Sequence, residues 1–129
     1  MIVRKWIENI FLNRKGVKFV SLNKIVKETL KPLNIPVEFQ TYGGKSEPYI
    51  TFFTYLNQAE SYSDDEEEVT GYYIQLDLFG KGNLEKLQIE IIKLLKSNGF
   101  IKKSINDGLY EPDTKFYHKV FRFFFYIQN

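Results

Sequence analysis

At 129 residues the chain has the size of one domain, and its 43% hydrophobic share is enough to build a core. A formal charge of +2, from 18 basic and 16 acidic residues, is too balanced to point to nucleic acid by itself, and the absence of cysteine excludes disulfides and thiolate metal sites. The longest apolar run, Phe123 to Ile127, is far too short to span a membrane, and Met1 to Trp6 lacks the features of a secretory signal, so no membrane partner is expected.

Residues 1–20 read as an N-terminal extension. Val3, Trp6, Ile7, Ile10 and Phe11 fall at helical spacing, which predicts a short amphipathic helix over residues 2–12 with Arg4, Lys5 and Glu8 outside. Packing onto the domain or a neighbouring subunit is preferred to a membrane surface, because the pattern lasts only one to two turns. From residue 21 to 129 a single α+β domain is expected. Ser21 reads as an N-cap, and Leu22, Ile25, Val26 and Leu30 as one helical face, limited by Pro32. Val37 to Tyr42 alternates as a strand before Gly43-Gly44, and Tyr49 to Leu56 is a strand dense in aromatic and β-branched residues. The polar stretch Asn57 to Glu68 ends in five adjacent carboxylates, Asp64, Asp65, Glu66, Glu67 and Glu68, which predict a solvated loop near the tip or return of a long hairpin.

Val69 to Phe79 is the clearest strand. Tyr72, Ile74, Leu76 and Leu78 form its core face, and Tyr73, Gln75, Asp77 and Phe79 the opposite one. After the Gly80-Lys81-Gly82 turn, Asn83 is expected to cap a helix whose buried stripe is Leu84, Leu87, Ile91, Leu94 and Leu95, ending at Lys96 and Gly99. Phe100 to Ser104 reads as a short strand, residues 106–114 as a turn-rich loop, and Phe116 to Ile127 as a long strand, apolar on both faces and so central or covered. The order predicts an α+β fold, a mainly antiparallel sheet of about four to five strands with two to three helices packed against it.

Catalytic chemistry is hard to assemble from these residues, and no enzyme is expected. His118 is the only histidine, no serine sits in a G-x-S-x-G motif, and the acidic run lacks the alternating oxygen ligands and glycine of a calcium loop. The glycines around Lys81 do not match a phosphate loop and read as turn geometry. No metal and no cofactor are expected. Basic and aromatic residues mix over Lys115 to Arg122, as on a nucleic-acid stacking surface, but an ordinary strand reads the same way, so nucleic acid ranks below protein as a partner. Aromatic residues are 17% of the chain, with 12 Phe and nine Tyr, more than a sheet core needs; part of the surplus is expected at a subunit interface.

Several segments together resemble a known family. They are Tyr49-Ile50-Thr51-Phe52-Phe53 followed by the acidic stretch, then Thr70-Gly71-Tyr72-Tyr73-Ile74-Gln75-Leu76-Asp77-Leu78-Phe79-Gly80-Lys81-Gly82-Asn83, and finally Asp107 to Phe123, which includes Leu109-Tyr110-Glu111-Pro112-Asp113-Thr114 and Tyr117-His118-Lys119. In order and spacing they look like the small tail-completion proteins of tailed bacteriophages and prophages of Gram-positive bacteria, also called tail terminators or tail-to-head joining proteins. The resemblance covers residues 22–126 and leaves residues 1–20 outside the family's pattern.

The resemblance implies a structural role at the tail–head junction of a virion, after assembly in the bacterial cytoplasm. Such proteins form a ring, typically a hexamer, on the head-proximal end of the tail tube. Their partners are copies of themselves, the tail tube protein and the head-connector protein, and the family has no catalytic residues to carry over. A ring needs two different surfaces on each subunit. Basic residues dominate the first 31 positions, whereas residues 60–68 hold six acids and no base. Arg4, Lys5, Arg14, Lys15 and Lys18 are candidates for one side, Asp64 to Glu68 for the other, and Tyr62 and Tyr110 for anchors near the loops. A head-completion protein of the same junction and a nucleic-acid-binding accessory domain remain as alternatives.

Overall fold

In a computed structural model, residues 21–128 are described; of Ser63 and Glu67 only the backbone is. The helix expected over residues 2–12 lies outside the described residues. Ser21 caps α1 (Leu22–Leu30) as its sequence position suggests: its hydroxyl accepts the Lys24 N–H at 3.2 Å. Leu22, Ile25, Val26 and Leu30 are buried on one side of α1, and a 3₁₀ turn carrying Pro32 (Lys31–Leu33) ends it.

Strand β1 (Val37–Phe39) is shorter than its alternation suggests. Gln40 takes φ 65° and the Thr41 N–H turns back onto the Phe39 carbonyl at 2.7 Å, so the chain leaves the sheet before Tyr42. The largest departure is the supposed acidic loop. Strands β2 (Tyr49–Ser63) and β3 (Glu66–Gly80) pair almost to their ends, so Asn57 to Ser63 and Glu66 to Glu68 are strand. Only Asp64 and Asp65 form the turn, with φ 51° and 63°. A two-residue hairpin needs positive φ at both central positions, and Asp is among the few L-residues that accept it. Cross-strand hydrogen bonding thus overrides the mutual repulsion of the run of five acidic residues, which is screened in water.

Helix α2 (Glu85–Ser97) starts one residue later than expected. Leu84 occupies the N-cap position, while the Asn83 side chain accepts the Glu85 N–H at 2.8 Å from just outside. Gly99, at φ 89°, closes the other end, and the Phe100 N–H returns to the Leu95 carbonyl. Strand β4 (Ile101–Asp107) then runs three residues beyond the expected end and takes in Asn106 and Asp107. Strand β5 (Tyr117–Gln128) lies between β3 and β4, the central place its two apolar faces call for.

The five strands follow the order β1-β2-β3-β5-β4, antiparallel except for β1 beside β2. The fold is α+β. Both helices lie on one face, where Ile50, Phe52, Ile74, Leu76, Leu78, Phe121, Phe123 and Phe125 meet Ile25, Leu30, Ile91 and Leu95 at 1% exposure or less. Each such side chain removed from water contributes about 1.5–3 kcal/mol before the entropy of ordering the chain is counted. No described helix is long and apolar enough to cross a membrane.

Candidate interaction surface

Strand alternation sends the other half of the sheet's residues to the face opposite the helices, where no described helix packs and only loop residues such as Tyr42 and Phe116 cover one end. Registers Gly71↔Tyr126, Tyr73↔Phe124, Gln75↔Arg122 and Phe79↔His118 place these side chains in cross-strand pairs on that face. Rings cover it in two blocks. At one end Tyr49 stacks between Tyr42 and Phe79, at 4.5 and 5.1 Å between centroids, and Phe79 stacks in turn on the His118 imidazole at 4.2 Å. At the other end Tyr73 contacts Tyr55 and Phe124, at 6.1 and 4.8 Å. Gly71 is needed there, because a Cβ would come within 2.6 Å of the Phe124 ring and 2.8 Å of the Glu60 side chain.

A polar strip joins the blocks. Asp77, 8% exposed, accepts from the Gln75 amide at 3.1 and 3.2 Å and lies 2.8 Å from His118 Nε2. Arg122 Nε donates to Gln75 Oε1 at 3.1 Å, and its guanidinium sits 5.7 Å from the Tyr55 ring centre. A buried carboxylate needs several donors, and here Gln75 of β3 and His118 of β5 supply them. Lys103 lies over Phe124 at 5.7 Å, beside the β4 bulge between Lys102 and Ser104.

The ends of the sheet differ. At the β4–β5 end the loop that follows Asp107 is tied by a bridge between Glu111 and Phe116, and the Phe116 ring meets Tyr49 edge-on. Leu109 is 87% exposed there and Tyr110 rests on Tyr117 at 4.8 Å. Burial, then the Glu111 carboxylate and Tyr42, push the Tyr49 hydroxyl above its ordinary pKa of 10.0. An open cleft of about 540 Å³, lined by Asn83, Glu85, Asp107, Tyr117, His118 and Lys119, lies beside this loop. The Lys81 N–H, in the glycine turn, is taken by Glu47 Oε1 at 3.0 Å, so the chain's own carboxylate occupies that donor. Among the described residues no three His, Asp or Glu gather as metal ligands would.

At the opposite end β3 outruns β5 beyond Val69↔Gln128, leaving Tyr62 to Glu68 as a two-stranded arm. Of the residues expected at an interface, Tyr62 (67% exposed), Asp64, Asp65, Glu66, Glu67 and Glu68 come together on this arm. Tyr110 does not join them: the pairing Gly80↔Tyr117 puts its loop at the far end of the strands. Arg4, Lys5, Arg14, Lys15 and Lys18 lie outside the described residues. Arg122 belongs to the basic and aromatic stretch Lys115 to Arg122 that stood out in the sequence, whereas the places of Tyr55 and Lys103 on this face were not foreseen. The signal present was Tyr73, Gln75, Asp77 and Phe79 on the non-core side of the clearest strand.

The sheet and its helices share the fold of the gp17 protein of bacteriophage SPP1. The TM-score is 0.50 at 16% identity, and the match covers 84% of this chain and 89% of that one. No protein-family model and no curated protein matches the sequence.

Proposed function

We propose that this chain is a structural protein of a phage or prophage that caps the head-proximal end of the tail tube as a ring and joins tail to head. The observation that carries the reading is a fold shared with a phage protein along nearly the whole length of both chains, coinciding with the ordered sequence resemblance over residues 22–126. The surfaces support it. One molecule offers a projecting acidic arm and a half-buried aromatic face, which are different and so suit the head-to-tail contacts of a ring. In this reading the partners are copies of the chain, the tail tube protein and the head-connector protein, no cofactor takes part, and no reaction is catalysed.

Purified, unterminated tail tubes, mixed with the protein and viewed by negative-stain electron microscopy, test the proposal. Density at one tube end with growth halted is the expected result. Binding to DNA-filled heads in place of tubes would move the protein to the head side of the junction, as a head-completion protein. A steeply salt-dependent affinity for DNA without binding to tubes or heads would replace the reading by a nucleic-acid accessory role.

A further inference from the structure

We propose that the open sheet face of one copy receives the acidic hairpin arm of the next copy, with Arg122 and Lys103 as its cationic contacts. The inference rests on the reading of the chain as a ring former, and it places the acceptor for the arm on the sheet, not on residues 1–20.

Charge complementarity within one sequence argues for it. Among the described residues Lys27 pairs with Glu38 and Lys119 with Asp107, and the His118 imidazole lies against the Asp77 carboxylate. None of these contacts uses Asp64, Asp65, Glu66 or Glu68, and none uses Arg122 or Lys103, both exposed on the open face. Those two cations lie over rings, Arg122 over Tyr55 and Lys103 over Phe124. The face also holds carboxylates: Asp77, engaged by Gln75 and His118, and Glu60, whose side chain reaches over Gly71 beside the Phe124 ring at the base of the arm. The face is therefore aromatic and holds two cations outside any ion pair among the described residues, whereas the arm is anionic and carries the exposed Tyr62 ring.

Topology fixes the geometry. The arm grows from the β2–β3 side of the sheet, and Lys103 lies on β4, the opposite edge strand. The acceptor thus reaches from Arg122, over Tyr55 near the middle of the sheet, to Lys103 on the flank opposite the arm. The arm and Lys103 can meet only between copies in a head-to-tail sense, which propagates around a ring. A two-stranded ribbon is also marginally stable alone, and docking would supply the contacts it lacks. Edge-to-edge strand pairing is the weaker alternative, because bulges interrupt both β2 and β4, a device that discourages added strands.

A cysteine-free chain permits a direct test by disulfide trapping. Full-length Tyr62→Cys and Lys103→Cys proteins are mixed under oxidation, free in solution and again on tail tubes. The expected result is a dominant mixed dimer, and a chain carrying both changes should give a ladder ending in a closed ring. Arg122→Glu should abolish the ladder of that chain, and adding Glu66→Lys with Glu68→Lys should restore it. A dominant Tyr62→Cys homodimer would overturn the proposal, as would a ladder indifferent to Arg122→Glu or no mixed dimer in either setting. Mixed dimers from a protein that ignores tail tubes would leave the interface standing and remove the terminator reading. Tube capping without mixed dimers would do the reverse.

Discussion

The two faces of the sheet carry similar residues in different states. On the helix side Phe121, Phe123 and Phe125 are fully buried, and Phe100 stacks on Phe125 at 4.4 Å. On the other side Phe124, one position away, is half-buried among Tyr73, Tyr126 and Lys103. Side chains of one chemistry, alternating along one strand, thus hold the fold on one side and remain available to a partner on the other. What separates them is the placement of α1 and α2, since an aromatic ring contributes its full transfer energy only when both of its faces leave water.

Neighbouring truncations test that contrast most sharply. Phe123→Ala should cost about 3–5 kcal/mol in denaturant unfolding, because it opens a cavity among residues with no freedom to collapse. Phe124→Ala should cost nearer 1 kcal/mol, roughly the worth of its ring contacts. Equal losses would show that the open face is sealed in solution and would break the comparison.

His118→Ala probes the polar strip between the ring blocks. Asp77 would keep Gln75 but lose its shortest partner, and Phe79 would lose the imidazole stacked on it. A destabilisation of about 1–3 kcal/mol is expected by the same unfolding measurement. A change within a few tenths of a kcal/mol would mean that water replaces the imidazole, so that the strip is wetter than its burial implies.

The arm should respond in the opposite sense. Asp65→Gly removes the cost of a left-handed conformation and should raise stability by a few tenths of a kcal/mol, less the added freedom of the unfolded chain. If the midpoint falls instead, the Asp65 side chain contributes to the turn beyond its backbone angle.

The smallest effect is expected at Tyr49. With its pKa raised in the folded state, its contribution is fully present below the ordinary value of 10.0 and is lost as pH climbs through the raised one. Spectrophotometric titration should find one phenol ionising late, and Tyr49→Phe should remove it together with the matching alkaline slope in stability. A late phenol that survives the substitution would assign the buried hydroxyl to another tyrosine.

Much of this architecture was legible in the sequence because it depends on period and on local chemistry. The alternation from Tyr72 to Phe79 assigned both faces of β3, Ser21 announced the start of α1, and the apolar content of Phe116 to Ile127 anticipated a central β5. The candidate site was less legible. Five consecutive carboxylates suggest a loop when only neighbours along the chain are considered, yet cross-strand pairing as far as Ser63↔Glu66 makes the same residues a ribbon. Strand pairing is non-local, and its hydrogen bonds outweigh repulsion among exposed, screened charges.

By itself, then, the sequence determined the class of fold, the succession of strands and helices from residue 21 on, and the inward residues of α1, α2 and β3. These follow from side-chain periodicity and capping, which act within a few positions of the chain. Only the tertiary structure decided that Tyr62 and Tyr110 stand at opposite ends of the strands, that Asp77 meets His118 across 41 positions, and that no described helix covers the aromatic face. Those facts depend on which strands pair and on which side the helices pack, and both are set by the burial of the most apolar surface as a whole.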